Sequence, residues 1–194
     1  KDNPIWISDD NGVSWQLPQD ASALIGSTGH TFTKIASDGA GQWIALDHRS
    51  NEMAFSYDNG LNWDIKDFDL YLTTADKAVV SGITHGKGTW VVTVDVSGDV
   101  DGNSRFIYYS YDGVQWSGAI VPVTRGIVDV HCNEYLFVAC STAVGEPFLV
   151  STDGVEWTGY DQPIVKRSGG GWQQVMFGLD TWILASSSNI PSAC

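Results

Sequence analysis

A single phrase, written four times, constrains this chain more than any other feature. It reads SDDNGVSW at 8–15, SYDNGLNW at 56–63, SYDGVQW at 110–116 and STDGVEW at 151–157. Each copy follows a strand-like run, PIW, MAF, RFIYY or PFLV. Aromatic and branched residues favour strands, and Asp-Asn-Gly or Asp-Gly favours a tight reversal. Each phrase is therefore expected to join two antiparallel strands.

The residues of the phrase suit a structural task. Asp10, Asp58, Asp112 and Asp153 are placed to accept hydrogen bonds from backbone N–H groups, and Ser8, Ser56, Ser110 and Ser151 to add a hydroxyl across the turn. Gly12, Gly60, Gly113 and Gly154 supply the positive φ that a side chain resists. Trp15, Trp63, Trp116 and Trp157 are expected to cover the turn from the following strand. The last two copies are one residue shorter, which predicts a different turn type.

A second element recurs between the phrases: KIASDGAGQWIAL at 34–46, GITHGKGTWVVTV at 82–94, DVHCNEYLFVACS at 129–141 and QVMFGLDTWILAS at 174–186. Each reads as strand, polar turn and strand, and the second strand is entered by Trp43, Trp90, Phe137 or Trp182. Those aromatics are spaced by 47, 47 and 45 residues. Two hairpins per repeat at this period predict a four-stranded propeller blade.

The fold expected is all-β, a compact four-bladed β-propeller in one domain spanning 1–194. Its blades would cover 32–64, 79–117 and 127–158, with the fourth assembled from 172–190 and 5–16, so that the two ends close the ring. A five-bladed ring or an open array of sheets is the alternative. The four phrases resemble the Asp-box of BNR-type propellers, Ser/Thr-x-Asp-x-Gly-x-Thr-Trp, with Ser14 and Asn62 in the Thr position of the first two copies. That resemblance implies that the turns lie away from the ligand-binding face. It also admits sialidases, lectins and noncatalytic scaffolds. A sialidase-like site would need clustered arginines, whereas Arg49, Arg105, Arg125 and Arg167 occupy unlike positions of the repeat, and no FRIP-like stretch is present.

Charge narrows the partners. There are 23 acids and 10 bases, a formal net charge of −13, and the bases are scattered. Phosphate backbones are held by clustered cations, so nucleic acid is not an expected partner, and anionic membranes are repelled. No run approaches the length of a membrane span, and the opening KDNPIWISDD has neither a basic n-region nor an apolar h-region.

Specific sites are sparse. His30, His48, His85 and His131 lack metal-ligand spacing. In DVSGDVDGNSR, 95–105, Asp99, Asp101 and Asn103 alternate as in a calcium loop with Asp95 nearby, although no closing Glu follows. Calcium is thus the one cofactor suggested, and none is required. Three cysteines, Cys132, Cys140 and Cys194, cannot make a complete disulfide framework, and the first two are expected to be offset on adjacent strands.

Phe32, Val80, Ile127 and Trp172 fall at one register position when the aromatic anchors are aligned. Phe32 and Trp172 are the candidate ligand-binding residues, Trp172 more so because it follows the open sequence SGGG. The function expected is noncatalytic, lectin-like recognition of a carbohydrate or glycoprotein, in a secreted, periplasmic or cell-surface setting. The alternative is a structural or protein-interaction propeller domain of a larger assembly; a glycan-processing enzyme is third.

Overall fold

A computed structural model describes residues 5–20, 31–47, 52–68, 78–96, 106–123, 126–141, 148–161 and 172–186. All regular structure among them is β. The repeats fold as expected from their strand and turn residues. Strands β1 (Phe32–Ser37), β2 (Trp43–Asp47), β3 (Glu52–Ser56) and β4 (Asp64–Asp67) form one antiparallel sheet in that order. A second contains β5 (Ala78–Gly86), β6 (Thr89–Val96), β7 (Ile107–Ser110) and β8 (Ser117–Gly118). A third contains β9 (Ile127–Cys132), β10 (Phe137–Ser141), β11 (Phe148–Ser151) and β12 (Thr158–Tyr160). The fourth repeat supplies a two-stranded hairpin, β13 (Trp172–Gly178) and β14 (Thr181–Ser186).

The chain divides into two compact units, 1–71 and 72–194. In the first, Ala45, Ala54 and Trp63 form a buried cluster against which Ile5, Phe32, Trp43 and Ile65 pack. The N-terminal turn is held by a bridge between Ile7 and Gln16, and Asp20 bridges to Asn62.

In the second unit three sheets stack in succession. β9 packs on β5 and β6, and β13 packs on β9 and β10. Strands in the middle of such a stack are covered on both faces, so their sequences run apolar without alternation. Val91 and Val92 of β6 are both fully buried, as are Ala139 and Cys140 of β10. The first strands are also tied to one another by polar bonds. The Ser81 hydroxyl donates to the Ile127 carbonyl, and the Val175 N–H donates to the Asp129 carboxylate at 2.9 Å. Val138, Cys140 and Val175 then join Trp172, Trp182 and Leu184 in an apolar cluster between the third sheet and the last hairpin.

One device recurs in every repeat. Phe32 pairs with Asp47, Val80 with Val94, Ile127 with Ser141 and Trp172 with Ser186. In each case the next residue, Thr33, Ser81, Val128 or Gln173, is skipped before pairing resumes. A β-bulge of this kind bends its strand and increases the local twist. The aligned register of Phe32, Val80, Ile127 and Trp172 is thus the residue before a bulge.

Cys132 pairs with Phe137 and Cys140 with Asp129, so the two thiols are offset and form no disulfide with each other. Burial pushes the Cys132 thiol up to about 11, against the opposing charge of Lys87.

Candidate recognition surface

The four turns are polar networks built around their acids. In the first, the Ser8 hydroxyl donates to Asp10 at 2.8 Å and accepts the Gly12 N–H at 2.8 Å. The Ser14 N–H and hydroxyl both donate to Asp10, at 2.9 and 2.7 Å. In the second, Ser56 bridges Asp58 and the Gly60 N–H in the same way, and both the backbone and side-chain amides of Asn62 reach Asp58. Asn11 and Gly12, like Asn59 and Gly60, have consecutive positive φ angles.

The shorter copies differ as their length predicts. Only Gly113 and Gly154 take positive φ, at 74° and 80°. Asp112 accepts from the N–H groups of Val114 and Gln115, and Asp153 from those of Val155 and Glu156. Ser110 and Ser151 again join the acid to the glycine N–H. The indole N–H groups of Trp15, Trp63 and Trp157 donate to the carbonyls of Gly12, Gly60 and Gly154, at 3.2, 2.8 and 3.1 Å. Trp116 is half-buried after the third turn.

These bonds favour the ionised carboxylate. The Ser14 N–H, then the Ser14 and Ser8 hydroxyls, hold Asp10 down at about 2. Asp58 is lowered chiefly by the two amides of Asn62, and Asp112 by the N–H groups of Gln115 and Val114. For Asp153 burial works in the opposite direction, and the N–H groups of Glu156 and Val155 with the Ser151 hydroxyl outweigh it. All four acids serve as acceptors for their own turns.

The candidates from sequence fall in both units. Phe32 is half-buried against the cluster of the first unit, and Trp172 is half-buried against Val138, Cys140 and Val175. Asp95 lies on β6, whereas Asp99, Asp101 and Asn103 fall outside the described residues. His30 and His48 also fall outside. His85 packs on Trp90 with ring centroids 4.7 Å apart, and His131 meets the edge of Trp182 at 6.0 Å. Burial lowers the His131 pKa against the pull of Asp129. No group of three or more His, Cys, Asp or Glu is gathered for a metal among the described residues.

A cleft that sequence reasoning did not find lies in the second unit. It has a volume of about 490 Å3 and separates the outer edge of the second sheet from the turn of the third repeat. Tyr109 of β7 and Ile120 beyond β8 stand on one side; Val155 and Glu156 stand on the other. Ala119 and Trp157, 3% and 8% exposed, form its buried apolar lining, while Ile120 is 83% exposed. Trp157 is held in place by its bond to Gly154 and by the edge of Phe137, whose ring centroid is 6.3 Å away. Neither the Tyr109 hydroxyl nor the Glu156 carboxylate has a hydrogen-bond or ion-pair partner among the described residues. The sequence signal was present in GAIVPV, 118–123, an apolar run after the third turn that has no counterpart after the second or fourth.

Repeated four-stranded antiparallel sheets, each bulged at the same place and stacked on the next in the second unit, define a β-propeller. Solved propellers with a similar fold include YCF48 bound to D1 peptide, which is 10% identical. It matches 81% of this chain and 49% of its own length, with a TM-score of 0.56. YCF48 from Cyanidioschyzon merolae is 16% identical over 87% of this chain and 51% of that one, with a TM-score of 0.52. The chain spans about half the length of these structures. No family model matches the chain, and no curated protein matches it.

Proposed function

We propose that this chain is a noncatalytic recognition propeller whose ligand is a polypeptide segment. The observation that carries this reading is the division of labour among its side chains. The four recurrent acids are occupied within their turns, while apolar and aromatic groups stand outside on the rigid sheets and turns. Tyr57 is 52% exposed and Tyr111 70%, each immediately after a buried serine of its turn. Aromatic side chains held on a rigid scaffold offer large contact area at low entropic cost. The likeness to a propeller solved with a peptide is consistent with this use of the fold.

A polypeptide ligand is preferred to a glycan because Trp172, the residue that most suggested sugar stacking, spends part of its surface on the cluster with Val138 and Val175. Selection of a random peptide library on the immobilised chain, run beside a glycan array, tests the choice. The expected outcome is a shared peptide motif with saturable binding and no glycan signal. Saturable binding of a glycan, with no peptide enriched, would overturn the reading.

A further inference from the structure

We infer that the cleft between Tyr109 and Glu156 is the docking site, and that it takes a segment in which a Lys or Arg stands beside an aliphatic or aromatic residue. This rests on the polypeptide reading above and specifies its surface and its partner.

The apolar half of the partner follows from the lining. A ligand side chain entering the cleft meets the Trp157 indole and Ala119 and covers Ile120, which is otherwise open to water. Burying such surface is the usual source of affinity, and a fixed aromatic lining loses little entropy on binding. The cleft volume of about 490 Å3 accommodates a few side chains.

The basic half follows from charge. Glu156 is exposed at the cleft, and its carboxylate has no partner among the described residues. Its backbone N–H is fixed on Asp153, which anchors the main chain from which the side chain projects. Tyr109 lines the same space and carries a hydroxyl able to act as a second acceptor. Among the described residues of the second unit there are eight Asp and Glu and one Lys, Lys87, whose ammonium donates to the Tyr135 carbonyl. The surrounding field therefore attracts a cation and repels an acidic segment.

The test uses the full chain labelled with 15N and two acetylated hexapeptides, one carrying Leu-Lys and one carrying Leu-Glu in otherwise Gly-Ser sequence. Titration should shift the amides of Tyr109, Ile120, Val155 and Glu156 and the indole N–H of Trp157. The Leu-Lys peptide should bind about tenfold more tightly than the Leu-Glu peptide, because like charges disfavour the latter. Glu156→Gln should lower affinity for Leu-Lys by about fivefold, the upper range of an exposed ion pair. Glu134→Gln, which removes the same charge from the β9–β10 turn, should change it far less. Ile120→Ser should weaken both peptides about tenfold through lost apolar burial.

Equal loss on Glu134→Gln and Glu156→Gln would overturn the site, leaving only a general electrostatic attraction. Shifts mapping to another surface would overturn the cleft while leaving polypeptide recognition standing. Absence of binding by either peptide, together with an empty peptide selection, would overturn both.

Discussion

The turns at 8–15 and 56–63 have almost the same sequence and the same internal bonds, yet Trp15 is 60% exposed and Trp63 is 4% exposed. In each, serine joins the acid to the glycine N–H, and the indole caps the glycine carbonyl. The difference is what lies beneath. Trp63 rests on Ala45 and Ala54 within a complete four-stranded sheet, whereas the N-terminal turn is flanked by an isolated bridge, Ile7 to Gln16. Local chemistry therefore specifies the shape of the turn, and the sheet behind it specifies how much the tryptophan stabilises.

The largest effect expected from this contrast is on unfolding. Trp63→Ala should cost about 3–5 kcal/mol, as for truncation of a buried large aromatic. Trp15→Ala should cost less than about 1 kcal/mol, as at most exposed positions. Urea denaturation of the two variants measures both. Equal losses would break the comparison, and would mean that the N-terminal turn is covered in solution.

A second contrast sets Gly154 against Gly12. Both have positive φ, at 80° and 84°. A Cβ on Gly154 would lie 2.8 Å from Val91 of the neighbouring sheet, whereas a Cβ on Gly12 would meet nothing closer than Trp15 at 3.9 Å. Gly12→Ala carries only the backbone strain, about 1 kcal/mol, and Gly154→Ala adds overpacking, for a total of about 3 kcal/mol. Thermal unfolding of the pair measures the difference. A Gly154→Ala variant no worse than Gly12→Ala would mean that the fourth turn does not press on β6.

These contrasts mark what was legible in the sequence. Ser56, Asp58, Gly60 and Trp63 announce their turn because each bond is made within eight residues, by side chains whose types fit the job. The strand starts at Trp43 and Phe137 are legible for a similar reason, since a repeated aromatic at fixed spacing marks a repeated core position. The bulges are not legible: the skipped residues are Thr33, Ser81, Val128 and Gln173, which have no side-chain type in common, because a bulge is a feature of backbone pairing that many side chains accept. The cleft escaped for another reason. Tyr109 and Trp157 belong to different repeats and were already explained by strand and turn, so their meeting is a property of packing alone.

The smallest effect expected separates the acids of the same turns. Asp10 receives a backbone bond and a hydroxyl bond from Ser14 and a further hydroxyl bond from Ser8, and its pKa is lowered to about 2. Asp153 is lowered against the opposing effect of burial. Asp10 should therefore have the lower titration midpoint of the two in a carboxyl 13C NMR titration. A folded pKa below the unfolded value, about 3.9 for Asp, contributes stability that is fully present above that value. The contribution falls away as pH drops from there through about 2. Ser14→Ala removes the hydroxyl donor but keeps the backbone N–H, so the Asp10 midpoint should move upward without reaching the ordinary value. An unchanged midpoint would assign the shift to the backbone bond and the Ser8 hydroxyl, and the first turn would then be held in its acid range by the same kinds of donor as the third and fourth.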